Sequence, residues 1–167
     1  MADAWTCPSC RRSFRRTAQS HGCAPALTVE EYFSTGPSFE RPIFDAVRSF
    51  VDTLGPVTIE PVSVGIFFKR PSSWIQLRPK RTWVALTFPM RRDVRHRTIR
   101  NKPLTNGRDS SMKWFVSNLE TPADLDVDLR DLLTESFDLY TLRPKDRRRG
   151  KRYIADYGVL WTDREDH

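Results

Sequence analysis

The chain has 167 residues, a formal net charge of +7 and a pI near 9.7. Ten Phe, five Trp and four Tyr, within 38% hydrophobic residues, supply enough apolar surface for a core and exclude a disordered chain. The length suits one domain with a small appendage. No run reaches the roughly 20 apolar residues of a spanning helix, and no secretory signal is present, so we expect a soluble, cytoplasmic protein without a membrane partner.

All three cysteines and one histidine lie in the segment CPSCRRSFRRTAQSHGC near the start of the chain. A C-x-x-C pair, Cys7 and Cys10, precedes an H-x-C pair, His21 and Cys23. One disulfide would leave an odd thiol, whereas one metal ion uses every sulfur. Zinc prefers four tetrahedral sulfur and nitrogen donors, and such a set leaves no position open for chemistry. We therefore predict structural Zn²⁺ at these four residues; the alternative is a chance cluster of reduced thiols.

Two apolar residues of this segment, Trp5 and Phe14, are predicted to pack around the metal loop, because so short a segment needs apolar cover. His21 and Cys23 are too close in sequence to share one helical face. A turn at Gly22 is the expected geometry for this second pair of ligands.

Two helices are predicted after this metal-binding segment, residues 1–26, which we call the knuckle. Thr28-Val29-Glu30-Glu31 matches a capping box, which favours a short helix near residues 29–34. Apolar residues then recur at helical spacing until Gly55-Pro56 ends the pattern: Ile43, Phe44, Val47, Phe50, Val51 and Leu54. Core packing is the usual reason for such a stripe, and a small-molecule or peptide pocket beneath this helix, residues 42–54, is the alternative.

β-branched and aromatic residues dominate the next part of the chain and predict antiparallel strands at 57–60, 63–70, 73–78 and 82–89. We expect Val62, Val64, Ile66 and Phe68 to alternate along one strand with one face toward the core. Residues 91–110 contain no apolar periodicity and predict a long loop or an extended hairpin tip.

A strand at 112–118 and a long acidic helix complete the predicted domain. Thr121, Pro122 and Asp124 supply a cap, a proline at the first helical position and an acid in the first turn, so the helix is predicted from there to about Tyr140. Most of its acids are predicted to form a solvated face. The fold class is α+β: an antiparallel sheet with helices packed on one face, preceded by a zinc knuckle. The predicted domains are a knuckle at 1–26, the α+β domain at 27–142 and a basic extension at 143–167.

The order of these segments resembles one family. A CPxC…HxC knuckle followed by TVEEYF, a helix, strands around IFFKR and SWIQLRPKRTWVALTF, and an acidic helix is similar to the bacterial proteins that carry the domain of unknown function 5655. The resemblance covers about residues 5–140, and its most specific part is the knuckle end, residues 19–23. It implies zinc binding and this domain layout without an activity. In the family pattern Gly usually follows the second cysteine, so Arg11 implies an altered first turn.

Enzyme motifs are absent from the sequence. There is no G-x-S-x-G, H-E-x-x-H or P-loop, and Glu60-Pro61-Val62 does not match the Glu-x-Lys of a metal-dependent nuclease. His96 lies among arginines, where its protonated form is disfavoured; a solvated loop histidine is the expected interpretation, and a neutral base beside a phosphate is the alternative. An enzyme is therefore the less favoured class.

Arginine clusters suggest an anion-binding surface, because arginine forms bidentate contacts with phosphate and stacks on bases. Trp74, Trp83 and Trp114 are candidate stacking partners. We hypothesise weakly specific contact with the nucleic-acid backbone. The alternatives are arginines that only solubilise the protein or pair with the acidic helix, and a partner that is another protein. The basic residues are Arg11, Arg12, Arg15 and Arg16; Arg91, Arg92, Arg95, Arg97, Arg100 and Lys102; and Arg147, Arg148, Arg149, Lys151 and Arg152.

Overall fold

The N-terminal cysteines belong to a small hairpin. The computed structural model describes residues 5–14, 16–70, 73–106 and 109–141, which divide into two units at the step from Ala26 to Leu27. In the first unit, strands β1 (Trp5–Thr6) and β2 (Ser13–Phe14) pair antiparallel, with Trp5 opposite Phe14. The basic C-terminal extension, including Arg147, Arg148 and Arg149, lies outside the described residues, as does Arg15.

The second unit begins with two helices whose ends follow the sequence signals. Helix α1 (Val29–Phe33) starts at the predicted capping box, in which Thr28 and Glu31 exchange side-chain and backbone hydrogen bonds. Helix α2 (Glu40–Leu54) starts two residues before the predicted segment and ends before Gly55. Gly55 has φ of 147°, a conformation that side-chain-bearing residues rarely adopt. Both predicted helices are confirmed.

Six antiparallel strands form one sheet in the order β3, β4, β5, β6, β8, β7. The strands are β3 (Thr58–Val62), β4 (Gly65–Lys69), β5 (Ser73–Pro79), β6 (Val84–Met90), β7 (Leu104–Asn106) and β8 (Asp109–Leu119). The first four match the predicted strands within a few residues. Between residues 91 and 110, the chain is irregular up to residue 103 and then forms β7, which pairs with β8.

One prediction within the sheet is wrong. Val62 ends β3 and pairs with Gly65, so Val64 lies in the turn between two strands and is 39% exposed. Gly65 begins β4 where the backbone of β5 lies close: a Cβ on Gly65, whose φ is 153°, would lie 2.3 Å from the carbonyl oxygen of Leu77. The alternating apolar residues across 62–68 therefore belong to two antiparallel strands and the turn between them.

The core of the second unit lies between this sheet and the two long helices, the second being α3 (Val127–Thr141). Phe44 of α2 packs on Phe68 of β4 with ring centroids 6.1 Å apart, and Phe137 of α3 meets Trp74 of β5 edge-on at 5.0 Å. The register places Phe68 opposite Ile75, both fully buried. The predicted α+β class is confirmed, and the aromatic stripe of α2 belongs to the core.

The acidic helix begins later than predicted. Thr121 and Asp124 do form a capping box, but it closes a separate 3₁₀ turn, Pro122–Asp124. Leu125 then leaves helical geometry with φ of −81° and ψ of 62°. The carboxylate of Asp126 accepts the backbone N–H of Leu129 at 3.1 Å and caps α3 at residue 127. Helical geometry therefore stops at Leu125 and restarts after the Asp126 cap.

No helix in the described ranges is long and apolar enough to cross a membrane.

Candidate metal centre and basic surfaces

The four predicted ligands converge. One donor atom from each of Cys7, Cys10, His21 and Cys23 lies within 4.8 Å of the other three. The Sγ atoms of Cys7 and Cys23 are 3.8 Å apart, and the Sγ of Cys10 is 3.3 Å from Nε2 of His21. Tetrahedral zinc requires sulfur–sulfur separations of about 3.8 Å and sulfur–nitrogen separations of about 3.6 Å, from its usual bond lengths. These residues fit a zinc ion.

The backbone of the hairpin turn holds the first two sulfurs. The Arg11 N–H donates to the Cys7 carbonyl at 2.8 Å, and the Cys7 N–H donates to the Arg12 carbonyl at 3.0 Å. Cys7 and Cys10 are buried, at 5% and 3% exposure. The backbone N–H of Cys10 is the main cause that lowers the pKa of Cys7 to about 6, because it donates a hydrogen bond to the thiolate. Cys23 has a raised pKa because it shares a hydrogen bond with the Cys7 sulfur.

His21 is oriented for metal binding by its second nitrogen. Nδ1 lies 2.5 Å from the carbonyl oxygen of Gln19, an acceptor, so Nδ1 carries the proton and donates it. The Nε2 lone pair is therefore left facing Cys10. Ligating histidines in metal sites are commonly fixed in this way by a carbonyl behind the ring. Because the acceptor is the Gln19 backbone carbonyl, the contact explains the two-residue spacing before His21 and does not depend on the glutamine side chain.

Aromatic rings cover the site as predicted. The Phe14 ring lies 4.0 Å from the His21 ring at an interplanar angle of 32°, and Trp5 meets His21 edge-on at 6.2 Å. Phe14 is buried together with Cys7 and Cys10, and Trp5 packs against this cluster. The apolar shell excludes water from one side of the donor set.

Arg11 occupies a position that favours glycine. Its φ is 57°, in the left-handed region, where a Cβ costs about 1 kcal/mol. The structure therefore gives a reason for glycine after the second cysteine, and it shows that arginine adopts the same conformation here. The turn therefore has the shape that glycine would give it, at the conformational cost of a Cβ on Arg11.

The basic segment, which we define as residues 91–103, is partly neutralised by acids of the same unit. Arg92 makes a bidentate ion pair with Glu135 at 2.8 and 2.6 Å. Arg97 binds Asp124 and Asp126, and Arg100 binds Glu120. The hydrogen bond from Arg92 is the main cause that lowers the pKa of Glu135.

Several of these acids were predicted to form a solvated helix face. That expectation is wrong for Asp124, Asp126 and Glu135, which have arginine partners.

Arg91, Arg95 and Lys102 are exposed, and Arg95 and Lys102 have no carboxylate partner in the described part of the chain. Arg11 and Arg16 of the knuckle are exposed, while Arg12 donates to the Gly22 carbonyl at 3.2 Å and lies over the Phe14 ring.

His96 is not the solvated loop residue that the sequence suggests. Its side chain is 4% exposed, with Nε2 at 2.9 Å from Asp126 and Nδ1 at 2.7 Å from the Thr98 hydroxyl. Thr98 in turn hydrogen-bonds Ser117 of β8, and its carbonyl accepts the N–H of Asn118. Both ring nitrogens are thus engaged in fastening the basic segment to α3 and the sheet, which disfavours a role as a base toward phosphate.

Two of the three candidate stacking residues are inside the protein. Trp74 is fully buried and donates its indole N–H to Ser136 at 3.0 Å, and Trp114 is 6% exposed. Only Trp83, which is half-buried, retains surface. A base-stacking role for Trp74 or Trp114 is therefore wrong.

Two buried acids were not singled out as site candidates. Glu40, 1% exposed, accepts a hydrogen bond from the Tyr32 hydroxyl at 2.5 Å, while its other carboxylate oxygen has no hydrogen-bond partner among the described residues. Glu60 of β3 pairs with Lys69 of β4 at 2.6 Å. Neither pair has a sequence motif, because the partners meet through helix packing or strand register. The sequence hints at Glu60 alone, an acid between apolar residues in the stretch 59–62.

The comparisons with known proteins address the second unit. The model of a family described as a domain of unknown function, DUF5655, matches residues 29–140, and the knuckle lies before this match. No curated protein and no solved structure matches the chain. Because the matched region covers more than half of the sequence, the chain belongs to the DUF5655 family.

Proposed function

We propose that this protein is a non-enzymatic binding module that holds structural zinc in its knuckle and contacts the nucleic-acid backbone through exposed basic residues. The convergence of four soft or borderline donors carries the zinc part of the proposal. Three thiolates and one imidazole complete a tetrahedral shell, so the ion stabilises the fold and leaves no position for substrate. Free cysteines of this kind suit a reducing compartment, which is why we place the protein in the cytoplasm.

The zinc part is tested by metal analysis of purified protein. We expect one zinc per chain, and we expect Cys7→Ser to lose it. Ser13→Ala is a control, since Ser13 lies in the same hairpin and is not a donor. Metal-free protein after purification under reducing conditions would contradict the proposal, as would full zinc binding by Cys7→Ser.

Net charge and exposed arginines support the nucleic-acid part. Of the segment 91–103, Arg95 and Lys102 are the basic side chains without a carboxylate partner in the described residues, so they are the first candidates for phosphate contact. In the knuckle, Arg11 and Arg16 are exposed. Phosphate contacts of this kind bind many sequences with similar affinity.

A salt titration with a fluorescent single-stranded oligonucleotide tests this. We expect affinity to fall steeply with salt, and Arg95→Gln/Lys102→Gln to reduce the slope of log K against log salt by about 1 to 2. Arg48→Gln/Arg81→Gln is the control for total charge, because it removes the same charge from exposed positions elsewhere; Arg48 is ion-paired with Asp52 at 3.8 Å. No binding at low salt, or an equal loss in both variants, would overturn the nucleic-acid part.

One observation favours a protein partner as the second candidate. Arg92, Arg97 and Arg100 already bind carboxylates of the same unit, and three guanidiniums are thereby less available to phosphate. Zinc without salt-sensitive nucleic-acid binding would shift the assignment to a protein-interaction module. A pocket under α2 has less support, since Phe44 and Phe68 fill that region.

A further inference from the structure

The three cysteines of the knuckle differ in exposure. Cys7 and Cys10 are buried in the apolar cluster, whereas Cys23 is exposed on a stretch in which Gly22, Ala24 and the residues after them are also exposed. A small oxidant from solvent therefore reaches Cys23 before the other two. Accessibility to solvent is one of the properties that select cysteines for oxidation, and it distinguishes Cys23 from the two buried sulfurs.

Cys7 lies within reach of Cys23 as a reducing partner. Their Sγ atoms are 3.8 Å apart, so a disulfide bond of about 2.05 Å requires an approach of less than 2 Å. Cys10 is the less suitable partner because its sulfur faces Nε2 of His21 at 3.3 Å. The space beside Gly22, next to Cys23, is open, since a Cβ placed there would meet nothing within 4 Å.

We propose that the knuckle is a peroxide-sensitive switch in which Cys23 is oxidised first and a Cys7–Cys23 disulfide then dismantles the metal site. This proposal rests on the proposed zinc function. The structure favours this pair over the C-x-x-C pair that sequence alone would suggest. Its consequence is loss of two of the four donors, which leaves only Cys10 and His21 to hold zinc.

The chemistry balances with a hydroperoxide as the oxidant. The Cys23 sulfur attacks the peroxide: a sulfur–oxygen bond forms, the oxygen–oxygen bond breaks, and the leaving oxygen takes a proton to become water or an alcohol. The Cys7 thiolate then attacks the Cys23 sulfenic acid, the sulfur–oxygen bond breaks, and a second water leaves. Two electrons pass from the sulfurs to the peroxide, and a dithiol reductant reverses the change.

The test uses full-length reduced protein, zinc-loaded, treated with hydrogen peroxide. Zinc release is followed with a chromogenic chelator, and disulfides are mapped by mass spectrometry under non-reducing conditions. A Cys7–Cys23 bond joins the tryptic peptides 1–11 and 17–48, whereas a Cys7–Cys10 bond stays within the first peptide. Fragmentation between Cys7 and Cys10 identifies which of the two is cross-linked.

Two variants keep four metal donors and separate the pathways. Cys23→His removes the exposed thiol, so we expect it to hold zinc and to release it at least about fivefold more slowly under peroxide. Cys10→His keeps the proposed pair, so we expect release near the wild-type rate and the same cross-linked peptides. Dithiol and zinc should restore the wild-type site.

A Cys7–Cys10 disulfide as the main product would overturn the proposal, and so would equal release rates in Cys23→His and Cys10→His. Failure of the zinc function gives a different result: the purified protein contains no zinc, while the disulfide map of the metal-free chain still reports which pair forms.

Discussion

At the scale of single residues, the knuckle is informative because one backbone angle and four donor atoms account for its shape. Arg11 adopts φ of 57° and closes the turn that presents Cys7 and Cys10. A residue with a Cβ tolerates this angle at a cost of about 1 kcal/mol, and a β-branched residue tolerates it less well. The strain at Arg11 therefore opposes formation of the metal site.

Charge-matched substitutions at Arg11 test the strain. We expect Arg11→Val to weaken zinc binding roughly tenfold relative to Arg11→Gly, since both remove the charge and only glycine relieves the angle. Competitive zinc titration against a chromogenic chelator measures the difference. Equal affinities would mean that the turn relaxes away from the left-handed conformation when zinc binds.

Glu40 is the second informative residue. Burial raises the pKa of this carboxyl above its ordinary value, and the hydrogen bond from Tyr32 only partly opposes the shift. Below the unfolded-state pKa, about 4.3, Glu40 is protonated in both states, and its full contribution to stability is present. As pH rises through the native pKa, the buried carboxyl ionises and the folded state loses that stability. Protonated Glu40 is thus the form that suits the folded protein.

Glu40→Gln replaces that carboxyl with a neutral group at every pH. We expect the melting temperature of the variant, relative to wild type, to rise as pH increases from about 4.5 toward the native pKa, because only the wild type bears the ionisation cost. Thermal melts across pH 4 to 8 measure this. A difference that stays constant with pH would show that Glu40 titrates as it does in the unfolded chain.

At the scale of elements, the basic segment 91–103 is attached to α3 and the turn before it through ion pairs and the His96 hydrogen bonds. Arg92 reaches Glu135 in the middle of α3, and His96 and Arg97 reach Asp126 at its start. Asp126 also caps the helix. One carboxylate therefore caps the helix and binds the basic segment, so polar contacts position a stretch of chain that has no apolar periodicity.

Glu135→Gln tests the attachment. We expect a loss of about 0.5 to 1 kcal/mol in the free energy of unfolding at pH 7, typical of a partly exposed bidentate pair. The native pKa of Glu135 is lowered. The pair with Arg92 therefore adds to the free energy of unfolding above the unfolded-state pKa, and this addition is lost as pH falls through the native pKa.

Urea unfolding at pH 7 and near pH 3 measures the pH dependence, and the difference between Glu135→Gln and wild type should shrink at the lower pH. Asp131→Asn is the control, an exposed acid of the same helix without an ion pair in the described residues. An equal loss in both variants would indicate a general charge effect on α3.

At the scale of the whole molecule, the division at Ala26 and Leu27 separates two kinds of stability. The described knuckle buries few apolar residues, so its folding depends on the metal, as in small zinc modules generally. The second unit has its own core of buried sheet and helix residues. Its stability therefore has a source that is independent of zinc.

Removal of zinc by a chelator should unfold the knuckle alone. We expect backbone amides of residues 5–26 to lose protection in hydrogen-exchange mass spectrometry, while residues 27–141 keep theirs and the main melting transition stays within a few degrees. Metal-depleted protein reloaded with zinc is the control. Loss of protection throughout the chain would show that the larger core also depends on the metal.

The metal ligands and most elements were predictable from sequence because their determinants are local. The spacing of Cys7, Cys10, His21 and Cys23, the capping box at Thr28 and the stripe of α2 each act within a few residues. The helix start at residue 127 was missed because two caps compete within six residues.

Tertiary structure alone decided the environment of the polar and aromatic residues. Sequence cannot show that His96 meets Asp126, that Trp74 and Trp114 are buried, or that Glu40 meets Tyr32, because these contacts arise when separate elements pack. It also decided which sulfur faces solvent: spacing makes the three cysteines equivalent as ligands, whereas the hairpin and its aromatic cover bury Cys7 and Cys10 and leave Cys23 exposed.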